Sequence, residues 1–235
     1  MLIPLFKDIV VIGAGVGGLI SSTILQRSGL NVTLLEKNNV CGGRMNSFQI
    51  ISNDARNYRF DVGPSLLLLK DIYEKTFTLI GKNISDYIEL LPVDPLYRCY
   101  FEDYSSFSDI TRDNTRMEIT LNQIEPHGYN NFIQYMNTAK SFLVFGLPVV
   151  IEENLTVNIQ HMFKFLLACI KDFPLLSHYK MLSKYFKSNK LRAMMSFQDL
   201  YIGLSPYEAP AIFSLLQALE LDQGDSICTV FDRYR

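Results

Sequence analysis

Apolar positions along the chain change period several times, and each change predicts an element. Residues 8–12 read DIVVI, a short β-branched run suited to a strand buried on both faces of a parallel sheet. The run enters GAGVGG directly, and Leu19 to Ser28 continues with helical spacing until Gly29 stops it. Residues 31–36, NVTLLE, form a second β-rich run, so the first forty residues predict a strand, a glycine turn, a helix and a second strand. Further on, FD at 60–61 ends another short strand before a glycine turn, and IELLPVDPLYRCYFED followed later by RMEITL reads as antiparallel strands. Beyond Pro126 the pattern turns helical: Tyr129 to Phe145 up to a break at Gly146 and Pro148, then about Val157 to Ile170, Leu176 to Phe186 and Pro206 to Leu221.

The uncharged run Ile9 to Gln26 is 18 residues long, the lower limit for a membrane span, but Gly13, Gly15, Gly17 and Gly18 crowd its middle. A strand followed by a loop and a helix fits it better, and with the first strand starting near Lys7 no cleavable signal peptide is expected ahead of it. The chain has 235 residues, 48% hydrophobic and 20% charged, enough to bury a sizeable core. Its 22 Lys and Arg against 24 Asp and Glu leave no positive field for a phosphate backbone, so no nucleic-acid partner is expected. Cys41, Cys99, Cys169 and Cys228 lie far apart without a CxxC pair, which predicts neither a metal site nor a disulfide scaffold.

Gly13, Gly15 and Gly18 match GxGxxG, with Ala14 inside the loop. The first glycine permits the tight turn, the second leaves room for a pyrophosphate, and the third lets helix and strand pack closely. Free N–H groups at the helix start then face the phosphates. Glu36, 23 positions after Gly13 at the end of the second strand, is placed to accept hydrogen bonds from ribose hydroxyls, with Lys37 beside it. Strand, loop, helix, strand and terminal acid in order predict dinucleotide binding. Gly42 and Gly43 then allow backbone to approach a ligand, with Arg44 available for a pyrophosphate, and Gly63, Pro64 and Ser65 form a second glycine turn.

GAGVGGL, LLEKNNVCGGR and FDVGPS in that order resemble the amino-terminal FAD-binding segment of the flavin amine oxidase and carotenoid desaturase superfamily. The resemblance implies FAD as cofactor, Glu36 at the ADP ribose, Arg44 along the pyrophosphate and Gly63 to Ser65 near the flavin ring. LLPVDPLYRCYF and the block from Lys184 to Gln217 are similar to the phytoene desaturase branch. That branch implies hydride transfer to flavin from a carotenoid such as phytoene, with a hydrophobic polyene as substrate and a membrane surface as partner. The alternatives are another FAD oxidoreductase of the superfamily, such as a retinol saturase type, or a non-catalytic fragment that binds lipid or a full-length partner.

The expected fold class is therefore α/β, with an FAD-binding Rossmann-like βαβ domain at residues 1–95 and part of an α+β substrate domain at 96–221. Residues 222–235 read as an atypical tail of a truncated form, in which Asp225 to Arg235 resembles nothing in the family, with apolar surface expected where the rest of a relative would pack. The sequence nominates no catalytic base. His127, His161 and His178 are scattered as packed or solvated histidines usually are, and the adjacent Glu152 and Glu153 cannot share a helix face. Ser141 to Ile151 is uncharged but only 11 residues long, far too short for a span. Between Phe173 and Gln198 there are five basic residues and no acid, with Lys180, Lys184 and Lys187 on one helical face and Met181, Leu182, Tyr185 and Phe186 on the other. Such a helix either lies on anionic lipid or packs its apolar face on the core. The expected location is peripheral membrane association, cytoplasmic or organellar.

Overall fold

The computed structural model describes residues 8–63, 67–102, 107–151, 167, 175–222 and 228–232. The helix expected at 157–170, together with Pro64, Ser65, Glu152, Glu153 and His161, lies outside the described residues, apart from position 167. The chain divides into two compact units, one made of Met1–Pro92 with Ile227–Arg235 and the other of Val93–Ser226.

In the first unit β1 (Asp8–Ile12) leads through the glycine turn into α1 (Val16–Arg27), and β2 (Asn31–Leu35) returns parallel to β1 with Val11 opposite Leu34. This is the expected βαβ unit. An antiparallel hairpin follows, β3 (Ser47–Ile51) with β4 (Asn57–Asp61), in which the Phe48 and Phe60 rings stack across the strands at 5.3 Å. Then come α2 (Lys70–Leu79) and β5 (Ile88–Pro92). The segment read as a separate tail supplies β8 (Cys228–Asp232), which pairs antiparallel with β5.

β1 departs from the sequence reading in one respect. A strand buried on both faces was expected, yet Ile12 is 85% and Leu35 50% exposed. The alternation explains it: Ile9, Val11, Val32 and Leu34 are the half-buried positions, while Val10, Ile12 and Leu35 face outward. Among the described residues the parallel sheet has two strands and α1 packs close to β1, so the apolar character of the outward positions has nothing to bury it there.

In the second unit β6 (Tyr97–Tyr100) and β7 (Phe107–Ile110) form a hairpin tied by Arg98 and Asp109, whose Nε and Oδ1 lie 2.7 Å apart. The helices are α3 (Asn114–Ile124), α4 (Gly128–Ile151), α5 (His178–Tyr185) and α6 (Asn189–Met195), then two short 3-10 turns at 197–202 and 211–214, and α7 (Leu215–Asp222). Met117, Leu121, Tyr135, Phe142, Met181, Leu182, Phe186 and Leu191 are fully buried and form the core.

Two expectations are corrected here. RMEITL, read as a strand, lies in α3, because Asp113 caps that helix by accepting from Thr115 N and Arg116 N, and Met117 and Leu121, four apart, are buried together. The break expected at Gly146 and Pro148 is absent, since α4 runs unbroken to Ile151. Its packing on α3, α5 and α7 outweighs the hydrogen bond lost at one proline. Among the described residues no helix is long and apolar enough to cross a membrane.

Glu125 shows how this unit is pinned. Its buried carboxylate accepts from Lys187 N at 2.9 Å and Ser188 N at 2.6 Å, the backbone entering α6. Replacing Glu125 by alanine is expected to leave those donors without their acceptor and to cost about 2–4 kcal/mol, read as a lower urea midpoint, with glutamine restoring part of it.

Candidate functional site

Two glycine loops distant in sequence meet at the start of α1, and a third turn reaches the second of them. Gly13 N donates to Leu35 O at 2.7 Å, which ties the GxGxxG turn to the end of β2. Gly42 N donates to Ala14 O at 2.7 Å, and Gly15 forms a parallel bridge with Gly42, so the second glycine pair lies against the first loop. The third contact is Gly63 against Arg44: a Cβ on Gly63 would stand 2.2 Å from the Arg44 carbonyl oxygen. Gly13, Ala14, Gly15, Gly18, Glu36, Gly42, Gly43, Arg44 and Gly63 are thus brought into one neighbourhood. Lys37 follows Glu36 on the exposed side.

The glycines have distinct physical roles. Gly13 at φ +98° and Gly42 at φ +114° hold backbone conformations that a side chain strains against. A Cβ on Gly18 would stand 1.9 Å from the Gly13 carbonyl oxygen and 3.7 Å from Val11 Cγ1, so its bare backbone lets α1 pack on β1. At Gly15 a Cβ would meet nothing within 4 Å. The space in front of Gly15 is open, and the helix start behind it has no side-chain cap and no acidic residue in its first turn. Backbone N–H donors with open space before them are what an anionic pyrophosphate requires.

Glu36 closes one side. Its Oε2 accepts from Ala14 N at 2.7 Å, and its Oε1 from Asn38 N at 2.9 Å and Asn38 Nδ2 at 2.8 Å. The Asn38 and Ala14 backbone donors hold its carboxyl below the usual carboxylate range, so it is an anion at neutral pH. Remaining lone pairs on both oxygens can still accept from hydroxyls of a ribose. Arg44, exposed on a 3-10 turn at 43–45, is the cation beside the two loops. The donor set and the open space fit a dinucleotide.

Sequence reasoning missed a buried polar group in the second unit. His178 Nδ1 donates to Asp199 at 2.9 and 3.0 Å from its two oxygens, and His178 Nε2 lies 3.1 Å from the Tyr135 hydroxyl, all three residues being fully buried. Burial raises Tyr135 well above the usual phenol range, so it stays a neutral hydroxyl. The three positions come from α4, α5 and the 197–202 turn, and no local spacing signals them. His178 is therefore packed, as a lone histidine usually is. His127 sits at a left-handed turn, φ +63°, between α3 and α4.

Residues 11–82 match the family described as "NAD(P)-binding Rossmann-like domain". The chain is 34% identical over 224 residues to a phytoene desaturase of Phycomyces blakesleeanus, an alignment that takes in 93% of this chain and 37% of that protein. It is 34% identical to a zeta-carotene-forming phytoene desaturase of Myxococcus xanthus and 32% to a 4,4'-diapophytoene desaturase of Methylomonas, in each case over 93% of this chain and 41% of the relative. The chain thus spans about two fifths of these relatives' length. Among solved structures, putrescine oxidase bound to putrescine aligns with a TM-score of 0.54 at 16% identity, over 97% of this chain and 46% of that one. A RAB GDI from Plasmodium falciparum aligns at 0.53 and 15%, over 97% and 52%. At such identities these two likenesses concern the fold alone.

Proposed function

The chain belongs to the phytoene desaturase family, whose amino-terminal part it matches, and from that premise we propose that it carries the dinucleotide-binding portion of an FAD-dependent carotenoid desaturase. The supporting observation is the meeting of two glycine loops in front of a helix start without a side-chain cap, with an anionic carboxylate at one side and the Gly63 turn against Arg44. In this reading the pyrophosphate lies in the open space at Gly15 against the N–H groups that begin α1, while Gly13 and Ala14 shape the turn through their bonds to Leu35 and Glu36 and Gly18 lets the helix pack on the strand. Glu36 accepts from the ADP ribose, with Lys37 beside it. Gly42, Gly43 and Arg44 line the pyrophosphate from the other loop, and Gly63, Pro64 and Ser65 are assigned to the flavin end. FAD, when bound, supplies the hydride acceptor for a saturated carbon flanked by polyene.

Chemistry on such a substrate depends on orientation and exclusion of water more than on a strong base, and no side chain is assigned as one. A hydrocarbon of this kind dissolves in a bilayer, so peripheral contact with a membrane surface is part of the reading. Arg44→Ala is expected to weaken FAD binding about tenfold or more through loss of a charge-assisted contact, read by flavin retention on gel filtration.

The function is tested by replacing the matching segment of the Phycomyces desaturase with residues 7–221 of this chain and incubating the purified chimera with phytoene, FAD and liposomes. Products absorbing at longer wavelength than phytoene are expected. A folded chimera that retains flavin and leaves phytoene unchanged would contradict the assignment. Because Ile12, next to Gly13, is open to solvent, the 235-residue chain by itself is expected to hold FAD weakly and to turn over no phytoene.

A further inference from the structure

Glu36 is held from two sides by the chain itself. Its Oε2 accepts from Ala14 N in the glycine loop, and its Oε1 accepts twice from one residue, Asn38, through the backbone N at 2.9 Å and the side-chain Nδ2 at 2.8 Å. Asn38 lies two positions beyond the acid, in the turn that leads from β2 towards Gly42, and it is exposed. Among the described residues the bond to Glu36 is the only one its side chain makes. An asparagine in an exposed turn ordinarily bonds nearby backbone or water. Here its amide is given to a carboxylate that the Ala14 bond has already drawn to the glycine loop.

That arrangement acts on both the shape and the charge of the acid. A free glutamate samples several rotamers, and a ligand that fixes one of them loses affinity to the lost entropy. Three donors converging from two loops leave Glu36 little of that freedom, so the carboxylate is set before a ligand arrives. The same donors favour the anion. The Asn38 N–H, then that of Ala14 and then the Asn38 amide hold the carboxyl below its usual range, and no cation is among the groups that do so. An ionised carboxylate accepts from a hydroxyl more strongly than a neutral acid does.

We propose that Asn38 is a positioning residue for nucleotide binding, its side-chain amide orienting the Glu36 carboxylate so that the site recognises the ribose hydroxyls of an adenosine diphosphate group. The inference rests on the cofactor reading of the glycine loops and adds a residue that acts through the acid. Its effect is therefore confined to ligands that carry those hydroxyls. A ligand with the same diphosphate and no ribose hydroxyls meets the N–H groups at the start of α1 whether or not Asn38 is there.

The test measures binding of ADP and of dideoxy-ADP, which lacks both ribose hydroxyls, to the 235-residue chain by nuclear magnetic resonance titration at neutral pH. Wild type should prefer ADP about tenfold, and Glu36→Gln should bring the two affinities together. Asn38→Ala should reduce the preference to about threefold or less, with dideoxy-ADP bound as before and the melting temperature unchanged, because the side chain is exposed. Asn38→Asp keeps the shape but cannot donate, so its preference should fall as in alanine; a role in shape alone would spare it. In the ligand-free chain the Glu36 carboxyl resonance should titrate below the usual carboxylate range in wild type, move up towards it in Asn38→Ala and further in Asn38→Asp. An undiminished preference for ADP in Asn38→Ala, or a Glu36 titration that this variant does not move, would overturn the inference and leave the cofactor reading standing. Absence of ADP binding by the wild type, or equal affinity for the two nucleotides, would count against the cofactor reading, and the role of Asn38 would fall with it.

Discussion

Asp199→Ala is expected to destabilise the second unit by about 3–5 kcal/mol, enough to unfold much of it at ambient temperature. The carboxylate lies inside the core, where both oxygens are within 3.0 Å of His178 Nδ1. Removing it leaves a buried N–H donor without its acceptor. The damage should spread, since His178 also touches the Tyr135 hydroxyl and so links α5 to α4. Urea unfolding followed by far-ultraviolet circular dichroism reads the loss. Asp199→Asn keeps an acceptor oxygen and should cost less than alanine. An alanine variant with an unchanged midpoint would show that the pair does not hold the unit together.

The second large effect separates two glycines that the sequence treats alike. Gly18→Val should damage the βαβ unit itself, because the new Cβ would stand 1.9 Å from the Gly13 carbonyl oxygen and only a backbone shift can relieve that contact. A strain of about 1–3 kcal/mol or more is expected in a unit whose buried apolar residues are few. Gly15→Val should leave the fold intact, since its Cβ meets nothing within 4 Å, while placing branched carbon in the space a pyrophosphate would occupy. The expected pattern is a lowered melting temperature for Gly18→Val, and an unchanged one with nucleotide affinity reduced about a hundredfold for Gly15→Val, near 2.7 kcal/mol. Equal melting and equal binding losses in both would show that the two glycines do not divide the work in this way.

Much of the first unit was legible because its information is local. DIVVI, the glycine spacing and the acid after NVTLL each report on neighbouring backbone, and β1, α1, β2 and the place of Glu36 follow. Gly18 even has the close contact its spacing implies. What could not be read depends on distant partners. The approach of Gly63 to Arg44 spans 19 positions and is fixed by the turn of the β3–β4 hairpin. The Tyr135, His178 and Asp199 group joins three elements whose sequences separately look unremarkable.

Two misread segments show competing physics. In α3 the β-branched residues of RMEITL suggested a strand, although the capping Asp113 and the spacing of Met117 and Leu121 already indicated a helix. In α4 local propensity at Gly146 and Pro148 lost to tertiary packing. The outward face of β1 shows the opposite limit: its apolar residues suit burial, but only neighbouring elements can bury them.

The central claim is that the two glycine loops at the start of α1 form a site for the ADP half of FAD. Titrating the 235-residue chain against FAD, followed by fluorescence anisotropy of the flavin, tests it most directly, with ADP and FMN as competitors. Weak saturable binding is predicted, displaced by ADP, unaffected by FMN and lost in Gly15→Val. Absence of saturable binding, displacement by FMN in place of ADP, or undiminished binding by Gly15→Val would contradict it.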